Sequence, residues 1–106
     1  MKLILAIVNN DDAQNVNTAL NKASFKATKI SSTGGFLMSG NSTFLIVVED
    51  EKVGECVGVI EKNSEKRMRS VPVDMRFQNP GNVVSNQVVV GGATVFVLNV
   101  EETYHL

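Results

Sequence analysis

"FKATKISSTGGFLMSGNSTFLIVVE", Phe25–Glu49, decides the fold. It holds two strand patterns with no helical pattern between them. "FKATKIS" (Phe25–Ser31) alternates Phe25, Ala27 and Lys29 against Lys26, Thr28 and Ile30, the period-two signature of a strand. "TFLIVVE" (Thr43–Glu49) is apolar and β-branched, as a strand buried on both sides must be. The glycine-rich connection between them carries Phe36, Leu37 and Met38, although a stretch built only to turn the chain would be polar.

Outward from this pair the pattern alternates. "KLILAIV" (Lys2–Val8) is short and apolar throughout and reads as a central strand. Asp11 with Gln14 three residues on is a helix-start signature, and Ala13, Val16, Leu20 and Ala23 follow at helical spacing, so Asp11–Lys22 is a first helix. Beyond the pair, Asp50 is placed to cap a second helix with the stripe Val53, Cys56, Val57 and Ile60. The basic run "EKRMR", Glu65–Arg69, reads as the end of that helix, where cations favour the helix dipole. "RSVPVDMRF" puts Val71, Val73, Met75 and Phe77 on one face, Pro80 and Gly81 suit a type II turn, and "VVSNQVVV" returns. These predict a β-hairpin arm, from about Arg69 to Gln87, inserted before a last strand at Ala93–Val100.

Without the arm the order is strand–helix–strand–strand–helix–strand. That is the split βαβ, or ferredoxin-like, α+β sandwich, expected as one domain over residues 1–106. Two helices cover only one face of a four-stranded sheet. "LILAIV", "FLIVV" and "VVVGGATVFVLNV" show little polar alternation, so the other face is also apolar and calls for a cover, best supplied by another copy of the chain.

Composition narrows the function. The net charge of -1 speaks against nucleic acid, whose phosphates ask for a basic face. One cysteine allows no internal disulfide and fits a reducing cytoplasm. The apolar run of "MKLILAIVNN" is too short to cross a membrane and lacks a small-residue cleavage site. His105 is the only histidine, no phosphate-binding G-x-x-x-x-G-K-[ST] loop is present, and no Cys/His cluster has metal spacing, so catalysis and metal binding find no support. Cys56, on the apolar stripe, reads as an inert core residue.

The glycine connection offers binding chemistry instead. Backbone N–H groups around Gly34, Gly35 and Phe36 can form a concave anion nest, and the Asn41 amide adds donors. Phe36 or Phe96 offers a ring for stacking, worth about 1–3 kcal/mol per base in nucleic-acid systems. Each feature has a plainer reading. The glycines can serve a simple turn, Phe36–Met38 can pack in a seam between subunits, Phe96 can be a core aromatic, and Lys26 can be a solvated strand residue.

"TGGFLMSGN" together with "GGATVFVL", with the "MKLILAIV" start and "FKATKISSTGGFL", resembles the PII-like cyclic-di-AMP receptor family over nearly the whole chain. The resemblance implies a cytoplasmic, non-enzymatic signal-transduction protein. It implies a ferredoxin-like homotrimer that needs no cofactor, binds cyclic-di-AMP between neighbouring subunits and signals to an unknown downstream protein through mobile loops. It assigns ligand contacts to Thr28, Gly35, Phe36, Leu37, Asn41 and Phe96, with the Thr28 hydroxyl toward an adenine edge. This chain departs from the family at Ser24 and Lys26, where asparagine and arginine are usual, at Val47, where glycine is usual, and in the Tyr104–His105 tail. Two further readings therefore stand beside the first: a sensor of the same fold with a pocket altered for another nucleotide or small anion, and a ligand-free interaction module.

Overall fold

The computed structural model of the chain describes residues 1–30, 40–70 and 87–106. Its elements run β1 (Lys2–Asn9), α1 (Asn10–Lys22), β2 (Ala27–Ile30), β3 (Asn41–Val48), a 3-10 turn (Asp50–Lys52), α2 (Val53–Lys62), β4 (Arg67–Ser70), β5 (Gln87–Val90) and β6 (Ala93–Asn99). Four strands form one antiparallel sheet in the order β2-β3-β1-β6. That order, with two helices, is compatible with the ferredoxin-like arrangement. β4 and β5 form a separate antiparallel pair. The expected hairpin arm falls mostly on residues 71–86, outside the described residues.

The two faces of the sheet differ. Ile4, Ala6 and Val8 of β1 and Phe44, Ile46 and Val48 of β3 are buried, and they pack with Val16 and Leu20 of α1 and Cys56 and Ile60 of α2. The alternate residues point the other way. Leu3, Leu5, Ile7 and Leu45 are half-buried there, and Val47, Phe96, Leu98 and Ile30 are exposed. No helix covers this second face among the described residues, so its apolar character is as the strand patterns predict.

Several boundaries differ from expectation, each for a local reason. The cap of α1 is Asn9 rather than Asp11: its Oδ1 accepts the Asp11 N–H at 2.8 Å. Asparagine is among the best caps, and Asp11 and Asp12 then lie in the first turn, where the helix dipole favours them. Asp50 does not cap α2. Its carboxylate takes the Met1 ammonium at 2.6 Å, and the chain makes a 3-10 turn before the helix begins.

The basic run is not a helix end. Asn63 Nδ2 donates to the Val59 carbonyl at 2.8 Å and Ser64 Oγ to the Ile60 carbonyl at 2.5 Å. These side chains take up carbonyls left over at the end of α2, so the helix stops and Arg67 and Met68 enter β4. β2 is shorter than expected, and β3 starts two residues earlier.

Candidate functional site

Sheet register places the candidate residues. Thr28 stands opposite Leu45, Leu45 opposite Leu5, and Leu5 opposite Phe96. The four make one row across the helix-free face, with Thr28 and Phe96 at its two ends. Three strand spacings of about 4.8 Å separate those ends by roughly 14 Å. One base cannot touch both within a single chain. Phe96 is 44% exposed, so within the chain it is not a core aromatic. Asn41 lies on the same face at the start of β3, opposite Asn9. Gly35, Phe36 and Leu37 lie outside the described residues.

At the far end of β3 three of the four departures from the resembled pattern come together. Ser24, Lys26 and Val47 line one cavity of about 350 Å3, with Met1, Phe25 and Lys52 among its other walls. Val47 is 54% exposed there. Ser24 holds a φ of +67°, the left-handed region that asparagine tolerates better than serine. The tail runs close to this cavity without lining it. Thr103 Oγ1 meets the Met1 sulfur at 3.8 Å, and the Val100 N–H donates to the Met1 carbonyl at 3.2 Å. Tyr104 donates to the Glu102 carboxylate at 2.6 Å, which raises the phenol above its ordinary range.

The opposite end of β3 carries a second cavity, of about 260 Å3, bordered by Asn9, Asn41, Lys66, Gly91, Gly92 and Thr94 among others. Asn41 and Val47 are six residues apart on one strand, roughly 20 Å. Of these residues the sequence marks Asn41 as a ligand contact and Lys66 only as part of a basic helix end, and it carries no signal for Asn9 or Thr94 as binding groups. The glycine pair at 91–92 was the one signal of close packing at that end.

Side chains suited to other chemistry are scarce. Among the described residues no group of three metal-ligating side chains is found, and no helix is long and apolar enough to cross a membrane. Cys56 is fully buried, and burial followed by the nearby Glu55 charge pushes its thiol up to about 11. At neutral pH it is a protonated, unreactive thiol.

The chain is similar to known proteins along its length. Its fold matches the crystal structure of a functionally unknown protein from Pediococcus pentosaceus ATCC 25745, with a TM-score of 0.74 and 40% identity over 99% of this chain and 96% of that one. A family described as "Cyclic-di-AMP receptor" matches residues 1–106. With that family match spanning every element from β1 to the tail, the chain belongs to the cyclic-di-AMP receptor family.

Proposed function

We propose that the protein is a cytoplasmic, non-enzymatic receptor that binds cyclic-di-AMP between the subunits of a homotrimer and signals through the loop 31–40 and the arm. The observation that carries this reading is the row on the helix-free face. Thr28 and Phe96 belong to the same surface but stand too far apart for one base, and two copies of the chain meeting at this face would bring both residue types to the same base. The uncovered apolar residues Val47, Phe96 and Leu98 give those copies a reason to associate. Thr28 supplies a hydroxyl, Asn41 an amide, and Gly35, Phe36 and Leu37 complete the contacts from the loop.

A second reading has its own support. Val47 projects into the cavity it shares with Ser24 and Lys26, where a purine would need room. A pocket narrowed there favours another nucleotide or a smaller anion. Calorimetric titration of cyclic-di-AMP, cyclic-di-GMP, ATP and ADP, beside light scattering of the free protein, tests both. Saturable binding of cyclic-di-AMP by a trimer is the expected result. A monomer at micromolar concentration overturns the shared site, and preference for another nucleotide selects the second reading.

A further inference from the structure

The cavity of about 260 Å3 at the start of β3 and β6 has a polar character. Ile7, Asn9, Asn41 and Thr94 meet there on the helix-free face, since Asn9 pairs in register with Asn41 and Ile7 with Thr94. Asn9 Oδ1 is engaged by the Asp11 N–H, which leaves the Asn9 NH2 as its donor. Asn41 and Thr94 add an amide and a hydroxyl, and Lys66 adds an ammonium. Among the described residues no carboxylate lines the cavity. A set of donors with a cation among them is the chemistry of an anion site.

Two features hold Lys66 in place. Gly92 has a φ of +83°, and a Cβ on it would lie 2.9 Å from Lys66 Cγ and 3.1 Å from Lys66 Cε. The lysine stem therefore lies across the bare glycine. The next residue, Arg67, reaches away to Asp12 of α1, at 2.8 Å from Nη2 and 3.3 Å from Nη1. Successive side chains of an extended chain point to opposite sides, so the Arg67 ion pair leaves Lys66 on the other side of the chain, where it lines this cavity and the neighbouring one. Among the described residues Lys66 forms no ion pair, although Glu61 and Glu65 share with it the wall of a neighbouring cavity of about 520 Å3.

The geometry points to a phosphate subsite at this end of the sheet, with Lys66 as its cation and Asn9, Asn41 and Thr94 as its neutral donors, occupied by a phosphodiester group of the nucleotide. This rests on the receptor reading above and names the part of the ligand that this end of the sheet takes. Lys66 immediately precedes β4, so the group that grips the phosphate is continuous with the base of the arm. A bound anion is thereby tied to the strand pair β4–β5.

Lys66→Gln and Lys66→Arg, each titrated with cyclic-di-AMP at low and high salt, test the assignment. Removing a charge-assisted contact weakens binding roughly 10- to 100-fold, flattens the salt dependence, and is largely rescued by arginine. If native protein and Lys66→Gln bind alike with the same salt dependence, the subsite is wrong and the receptor reading stands. Pyrophosphate titration followed by amide chemical shifts separates the two claims where native protein does not take cyclic-di-AMP. Saturating shifts at Asn9, Asn41 and Thr94 that vanish in Lys66→Gln support the subsite alone, and an absence of shifts overturns it.

Discussion

The cavity at Ser24, Lys26 and Val47 makes a quantitative claim about affinity. Val47 puts a branched side chain where the sequence resemblance implies glycine, and overfilling a packed site costs about 1–3 kcal/mol. Ser24 replaces an amide by a hydroxyl, and one lost hydrogen bond costs about 0.5–1.5 kcal/mol more. Under the receptor reading these together weaken a purine ligand roughly ten- to a thousandfold, at about 1.4 kcal/mol per decade. Val47→Gly combined with Ser24→Asn should recover affinity on that scale.

The free protein responds differently to the two changes, which makes the experiment discriminating. Val47 faces Leu3 across the strands, and losing that pair and the β-branched side chain costs about 1 kcal/mol, or about 4–8 °C in melting temperature. Ser24→Asn acts in the opposite direction, because serine at φ +67° carries about 1–2 kcal/mol of left-handed strain that asparagine partly escapes. Ser24→Gly relieves the same strain without an amide, so it should stabilise the protein and leave affinity unimproved. Calorimetry and thermal melts of native, single and double variants read both effects. A folded double variant that binds no more tightly than native refutes the obstruction argument.

The glycine pair and the buried thiol give two further tests. Gly91 has a φ of +86°, and a Cβ there would lie 2.5 Å from the Glu65 carbonyl oxygen and 2.7 Å from Arg67 Nη1. Gly91→Ala should therefore lose at least about 2 kcal/mol, combining left-handed strain with the clash, and a melt unchanged from native would contradict this packing. Cys56 should resist aromatic disulfide reagents until the protein unfolds. Its folded pKa of about 11 lies above the ordinary 9.0, so the stability it contributes is complete below pH 9 and is lost as pH rises toward 11. Rapid labelling at pH 8 without denaturant would show that the α2 core opens locally.

The order of elements was legible because strand and helix periods differ strongly over "KLILAIV", the Ala13–Leu20 stripe and "TFLIVVE". Which face the helices cover was not. Both faces of β1 and β3 are apolar, so sequence alone cannot tell Ile4 and Phe44, which are buried, from Leu5 and Leu45, which are only half so. Only the register resolves this, and with it the position of Phe96 opposite Leu5. The helix ends misled for another reason. Asn9 and Asp11 are both good caps, and the choice was made by where β1 ends.

The least legible feature was the basic run, because its meaning depends on partners distant in sequence. Read locally, Lys66 and Arg67 look like the solvated end of a helix. In the fold the Asn63 and Ser64 side chains stop that helix, and the two cations then diverge. Arg67 goes to Asp12, whose side chain is only 5% exposed, and Lys66 goes across Gly92 to the cavity beside Asn9 and Asn41. Asn9 in turn caps α1, the helix that carries Asp12 in its first turn. The start of β4, the start of α1 and the start of β3 thus share one small cluster of polar groups. An anion drawn into that cluster acts on all three elements at once, whereas a base at the Val47 end of β3 meets the end of α1 and the turn before α2. If the family's ligand occupies both ends, its phosphate end is the one that adjoins the β4–β5 pair.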